Sequence, residues 1–214
     1  SGGLGILAGD YIKEASDANV NITGIGLLYR KGYFKQSLSI HGEQLTEPDT
    51  LDIAILPLEL VIDRTGKPLK IALPFPSRTV MAQAWKLPVG RATLYLLDTY
   101  IDENSAEDKL ITSQLYASSE ENRLKQELLL GVGGIQLLNA LNIKPDVYHC
   151  NEGHAAFLSL ARLYYLIHDN NLSFEEALEV GRATNLFTTH TSLPAAIDKF
   201  SEDLLRPYFA HIAQ

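Results

Sequence analysis

Pro145-Asp146-Val147-Tyr148-His149-Cys150-Asn151-Glu152-Gly153-His154-Ala155-Ala156-Phe157 is the stretch whose reading decides the fold. Pro145 to Cys150 predicts a short buried strand, and Glu152 to His168 predicts a helix whose buried face is Ala155, Ala156, Leu158, Leu160, Leu163 and Leu166. Ser173 opens a second helix running to about Thr184, with Glu176 three residues on to complete a capping box. Asn185-Leu186-Phe187-Thr188-Thr189-His190 then reads as the next strand. Strand, helix, helix, strand in this order implies a right-handed crossover and parallel pairing, with ligands gathering at the carboxyl ends of the strands. Asn151-Glu152-Gly153-His154 and His190-Thr191-Ser192 occupy such ends and so can share one cleft.

Upstream of this unit, Glu120 to Leu141 has the spacing of a long amphipathic helix, and Asp98 to Asp108 is polar without periodicity. The latter predicts an unusually long loop, a candidate gate. Between Leu51 and Leu97, strand-like runs separated by Pro and Gly predict a small, mostly antiparallel β insertion over about residues 51–98. The runs are Asp52 to Leu56, Leu58 to Ile62, Lys70 to Leu73, Thr79 to Lys86 and Arg91 to Leu97, with Asp63-Arg64-Thr65-Gly66 as a hairpin turn. Nearer the start, Ile6, Leu7, Tyr11, Ile12 and Ala15 recur at helical spacing up to Asp17-Ala18-Asn19, and Asn21 to Tyr29 reads as a buried strand. Ser1 is no initiator Met, and a glycine turn feeding a helix usually follows a strand, so further sequence is expected upstream.

The 214 residues are 46% hydrophobic and 21% charged, enough to bury a sizeable core in one domain or two small ones. Basic residues are scattered singly against a net charge of −8, which disfavours nucleic acid and anionic membranes and leaves a neutral polymer as a partner. No apolar run approaches the roughly 20 residues that span a bilayer. The single cysteine, Cys150, excludes an internal disulfide framework and fits a reducing compartment, so the cytoplasm is expected.

Three groups of residues invite chemistry. Gly3-Leu4-Gly5 ahead of a helix lets backbone N–H groups approach an anion at the positive end of the helix dipole, or merely permits a tight turn. The same glycines fit the permissive dinucleotide pattern, but no acid closes the following strand; Arg30 stands there, which disfavours NAD and leaves NADP a distant rival. His149, Cys150, Glu152 and His154 crowd together, yet neighbouring strand residues point to opposite faces and the HExxH spacing is absent. A metal is therefore not expected, and Cys150 reads as a packed, inert thiol. Glu152 and His154 read either as a helix-capping pair or as a polar pair aimed into a cleft, and His190 either as a histidine satisfied by neighbouring hydroxyls or as a site residue.

Four segments in order resemble the α-glucan phosphorylases, the glycogen, starch and maltodextrin phosphorylase family, and most closely its bacterial branch. They are Ser1 to Asp10, Gly26-Leu27-Leu28-Tyr29-Arg30 with Gly32-Tyr33-Phe34, Asn151 to Phe157, and Phe187-Thr188-Thr189-His190-Thr191 with Pro194; Asn122-Arg123-Leu124-Lys125-Gln126-Glu127 looks like the family too. The resemblance implies an α/β, Rossmann-like N-terminal half of a two-domain glycosyltransferase-B fold. Residues 1–214 would be a partial first domain, with the pyridoxal phosphate domain and its Schiff-base lysine outside the chain. It further implies phosphorolysis of an α-1,4-glucan from its non-reducing end by inorganic phosphate, giving glucose 1-phosphate with retention. A homodimer is a candidate assembly of the full enzyme, and the isolated stretch is expected to be inactive.

Carried over position by position, the resemblance makes Gly3, Leu4 and Gly5 the backbone cradling phosphate and sugar, and His190 the histidine beside the glucose ring. Glu152 and His154 would line the cleft, and Asn104 in a gating loop would touch sugar. Two rivals share features: a starch or glycogen synthase also opens its catalytic half with Gly-Gly-Leu, and a non-catalytic glucan-binding module would retain the fold.

Overall fold

The computed structural model describes residues 2–115, 119–190 and 197–210, leaving aside the side chains of residues 2–4, 33–35, 48 and 49. The chain divides into two compact units, Ser1–Lys70 with Ala82–Ala117, and Ile71–Met81 with Ser118–Gln214. It is an α/β protein.

The first unit opens with helix α1 (Gly2–Asp17). The glycines expected to form a turn therefore lie in the first helical turn itself. Glycine's entropic penalty belongs to the helix interior; in the first turn most N–H groups have no intrahelical acceptor in any case. Ile12 and Ala15 are buried, while Ile6, Leu7 and Tyr11 on the same helix are exposed. Strand β1 (Thr23–Leu27) follows, then a hairpin of β2 (Lys31–Leu38) and β3 (Gln44–Thr50). Periodicity gave no sign of this hairpin, whose turn is built locally: Ser39 Oγ accepts from the N–H groups of His41 and Glu43, and Gly42 has φ +79°.

Asp52 to Leu56, expected as a strand, is a 3-10 turn (Ile53–Ile55). Its cap is Asp52, whose carboxylate accepts from Ala54 N at 3.0 Å, a local bond that competes with strand pairing. Strands β4 (Glu59–Leu60), β5 (Lys70–Phe75), β6 (Arg78–Val89) and β7 (Ala92–Asp98) stand close to the expected runs. The Asp63 turn is as read: Asp63 Oδ1 accepts from Thr65 N, Thr65 Oγ1 and Lys67 N, and Gly66 takes φ +82°.

These strands pair antiparallel among themselves, as expected, and also join β1. β7 pairs parallel with β1, Thr23 facing Thr93 through Leu27 facing Leu97, and antiparallel with β6, which pairs antiparallel with β4. The result is one mixed sheet in the order β1-β7-β6-β4, with β5 on β6. A single-sequence reading sees strand runs but not partners, and parallel pairing of β1 with β7 spans some seventy positions of chain.

In the second unit, α3 (Glu120–Leu128) and α4 (Gly134–Ala140) are joined by a π-helical turn (Leu129–Gly133), so the long helix read from periodicity carries one wide turn at its centre. Gly131 in that turn makes room for the start of α5 (Leu158–His168): a Cβ there would lie 2.7 Å from Leu158 N. Helix α6 (Phe174–Thr184) opens with the expected capping box of Ser173 and Glu176. Strands β8 (Tyr148–Asn151) and β9 (Asn185–Thr188) pair in parallel, Tyr148 facing Asn185 through Asn151 facing Thr188, as the crossover requires. Helix α5 starts six residues later than predicted, after a 3-10 turn at Gly153–Ala155, and buries Leu158, Ala161 and Arg162; Ala156 and Leu160 are exposed. Helix α7 (Glu202–Phe209) sets Tyr208 edge-on against Phe75, ring centroids 5.3 Å apart.

Candidate functional site

The carboxyl ends of β8 and β9 bring together Asn151, Glu152 and His190. Glu152 follows β8 directly with φ +66° and ψ −177°, a backbone conformation that side-chain-bearing residues seldom adopt. Its N–H donates to Thr188 O at 2.9 Å, extending the parallel ladder by one bond. Its side chain is only 7% exposed and turns across the strands, where Oε1 accepts from His190 N at 2.5 Å. Of the two readings open for this carboxylate, the helix cap is not made: it fixes the main chain of the neighbouring strand end, and α5 begins only at Leu158. The His190 ring reaches the same strand end, Nε2 lying 2.7 Å from Asn151 Oδ1.

His154 stands in the 3-10 turn after Glu152 and is half-buried. Burial holds its imidazole below the ordinary histidine range, Arg123 pushes the same way, and Glu152 opposes both. Below that lowered value the ring would be charged; above it His154 is a neutral imidazole. Arg123 itself pairs with Asp198. His149 and Cys150 point to opposite faces, as strand geometry demands: His149 is exposed with Nε2 2.7 Å from Thr188 Oγ1, while Cys150 is buried. Burial pushes the Cys150 thiol above its usual value, with Arg162 opposing, which is the environment of an unreactive sulfur.

Sequence reasoning passed over Arg162 and Asn185, which hold the site's two strands. Arg162 is buried, donates to Thr184 Oγ1 at 2.7 Å and to Asn185 Oδ1, and lies 3.9 Å from the centre of the Tyr148 ring. An arginine on an otherwise apolar helical face was the available signal. Also unforeseen is Glu127 of α3, 6% exposed, whose Oε1 is buried without a hydrogen-bond partner; burial raises this carboxyl to about 7, against the pull of Arg123.

The remaining candidates lie in the first unit. Gly3, Leu4 and Gly5 sit in the first turn of α1, where helix geometry leaves leading N–H groups without intrahelical acceptors. Asn104 follows β7 and is 7% exposed, its Nδ2 donating to Thr99 O at 2.7 Å inside its own loop. The Asp98 to Asp108 segment, expected as a long loop, runs irregularly to Ser105 and is tightly packed. Thr99, Asn104, Asp108 and Thr112 are buried, and Ser105 caps the short helix α2 (Ala106–Lys109). Asp98 is the hub of that packing: its carboxylate accepts from Arg30 at 2.7 Å, Gln83 and Trp85 at 3.1 Å, Tyr100 N at 2.9 Å and Thr112 at 3.4 Å. Ser1, Thr191, Ser192 and Pro194 of the quoted motifs lie outside the described residues.

No family model matches the chain. Comparison with characterised proteins finds a maltodextrin phosphorylase of Thermococcus litoralis, 47% identical over 94% of this chain and 24% of that protein. A glycogen phosphorylase of Mycobacterium tuberculosis is 43% identical over 97% of the chain and 25% of its own length. One from Aquifex aeolicus is 35% identical over 99% of the chain and 30% of its own length. The class these matches define is that of proteins named glycogen and maltodextrin phosphorylases. More narrowly, the chain belongs over nearly its whole length to the α-glucan phosphorylase family, and it spans about a quarter of the length of the relatives it matches.

Proposed function

We propose that this chain is part of an α-1,4-glucan phosphorylase, a hexosyltransferase that transfers a terminal glucose to inorganic phosphate and releases glucose 1-phosphate with retained configuration. The observation that carries the reading is the union of Glu152 and His190, two residues of separate family-like motifs, at the carboxyl ends of one parallel strand pair. Open α/β sheets place their ligands at such ends. Homology to maltodextrin and glycogen phosphorylases supports it. In this reading the chain is most of the N-terminal half of a glycosyltransferase-B fold.

Each residue then has a task its surroundings permit. His190 borders the sugar, its main chain steadied by Glu152, so its orientation is prepaid before substrate binds. The half-buried His154 lines the cleft as a neutral group above its lowered pKa. Backbone N–H groups of Gly3, Leu4 and Gly5 supply donors for phosphate at the start of α1, where the helix dipole favours an anion. Asn104, engaged within its loop, contributes by shaping it.

The family resemblance implies pyridoxal phosphate, whose own phosphate group would act as proton-relay partner of the substrate phosphate, and it puts the Schiff-base lysine in the other half of the enzyme. Lys125, buried among the described residues, pairs with Glu121 at 3.3 Å. A cytoplasmic, homodimeric full-length enzyme fits the same reading. Among the described residues no helix is long and apolar enough to cross a membrane.

The test uses the full-length protein, following cofactor absorbance together with glucose 1-phosphate release from maltodextrin and phosphate. Phosphate-dependent release that collapses in His190→Ala while the cofactor stays bound is the expected result. A protein that binds no pyridoxal phosphate and releases nothing would send the search to sugar-nucleotide transfer or plain glucan binding.

A further inference from the structure

We propose that Asn151 is a positioning residue that holds the His190 imidazole in the tautomer protonated at Nε2, leaving Nδ1 as its free acceptor. A neutral imidazole has one N–H and one bare nitrogen, and which is which follows from the partner each nitrogen meets. Nε2 of His190 lies 2.7 Å from Asn151 Oδ1, an oxygen that only accepts, so the proton on that edge belongs to the ring.

The surroundings make this an imposed arrangement. His190 is held at two points: its N–H by the Glu152 carboxylate, and its ring edge by the Asn151 amide, one residue earlier in the chain. Glu152 is in turn tied to Thr188 O through its own N–H. With backbone and ring edge both anchored to the end of β8, the ring cannot turn over without breaking a bond.

The neighbouring contact on the same face serves as an internal contrast. His149, two residues before Asn151, meets Thr188, two residues before His190, at the same 2.7 Å from Nε2. A hydroxyl both donates and accepts, so that contact is compatible with either tautomer of His149. The amide oxygen at position 151 is what distinguishes His190. A fixed ring offers an acceptor edge of one orientation, whereas a ring free to exchange tautomers would be correctly protonated only part of the time.

The catalytic consequence rests on the phosphorylase reading, but the tautomer does not, so the two are measured separately. Full-length protein labelled with ¹⁵N-histidine is studied by magic-angle-spinning NMR above the pH at which the imidazoles titrate, with His190→Gln identifying the His190 signals. The expected wild-type pattern is protonated Nε2 with bare Nδ1. Asn151→Ala shifts His190 to a mixture of tautomers and lowers kcat about tenfold with KM within about twofold, the scale of lost orienting partners. Asn151→Asp keeps an accepting oxygen in place, so the Nε2–H tautomer and most of kcat return.

Protonated Nδ1 in the wild type, or an unaltered tautomer in Asn151→Ala, would overturn the proposal. An unchanged kcat in Asn151→Ala alongside a shifted tautomer would equally sink the positioning role. If the tautomer responds as expected but the wild-type enzyme forms no glucose 1-phosphate, the assignment of Asn151 to the ring stands and the phosphorylase reading falls.

Discussion

At the residue scale, Glu152 combines an unfavourable backbone with a favourable side-chain bond, and substitution separates the two. Glu152→Ala keeps the awkward φ of +66° and loses the charge-assisted bond to His190 N, so it is expected to cost about 2 kcal/mol or more. Glu152→Gly loses the same bond but adopts that backbone freely, and should be about 1 kcal/mol less destabilised than the alanine variant. Denaturant melts of the two variants and the wild type measure the difference; equal losses would show that the backbone carries no strain. Glu127 supplies a pH signature. Its carboxyl is raised from the ordinary 4.5 of a free glutamate to about 7, so between those values the folded chain binds a proton that the unfolded chain has released. Stability contributed at this position is therefore highest below about pH 4.5 and falls as pH rises to about 7, a loss on the order of 3 kcal/mol at most. Glu127→Gln cannot ionise, so its advantage over the wild type should grow from pH 5 to pH 8 in thermal melts and then level off.

At the element scale, the π-helical turn between α3 and α4 packs closely against the start of α5 at Gly131. A methyl group at Gly131 would press on Leu158 N at 2.7 Å and on Phe157 at 2.9 Å, and the first of these is backbone that cannot swing aside. Gly131→Ala is thus expected to destabilise by roughly 1–3 kcal/mol through overpacking, although alanine is the better helix former. A chemical melt in which the alanine variant matched or exceeded the wild type would show that α5 can shift at little cost. The capping box of α6 is a calibration: Ser173→Ala removes the bond to Glu176 N and should cost about 1 kcal/mol.

At the scale of the whole molecule, Asp98 gathers chain from four places, Arg30, the Gln83 and Trp85 edge of β6, Tyr100 and Thr112, around one fully buried carboxylate. Removing it leaves a guanidinium and several donors facing no acceptor, so Asp98→Ala is expected to cost about 3–5 kcal/mol. Trp85 is the one tryptophan in the chain and donates Nε1–H to this carboxylate. The substitution should therefore shift its fluorescence along with the melting temperature. An unshifted spectrum in a destabilised variant would argue that Trp85 finds another acceptor.

What the sequence by itself determined were the features written in local pattern. The crossover from β8 to β9, the capping box at Ser173, the Asp63 turn and the long helix from Glu120 each depend on residues within a few positions of one another. His190, Glu152 and His154 were legible as candidates because motif and strand end coincide. Only the tertiary structure decided partners and directions. β7 joined β1 across about seventy residues, so the antiparallel strands expected over residues 51–98 share a mixed sheet with the parallel strand β1. The Asp98 to Asp108 loop proved packed because buried threonines and carboxylates satisfy each other there, which polarity along the chain cannot reveal. For Glu152, a carboxylate beside an apolar run, local pattern leaves both a helix cap and a cleft residue open. Its real bond, to a backbone N–H 38 positions away, exists only once two strands lie side by side.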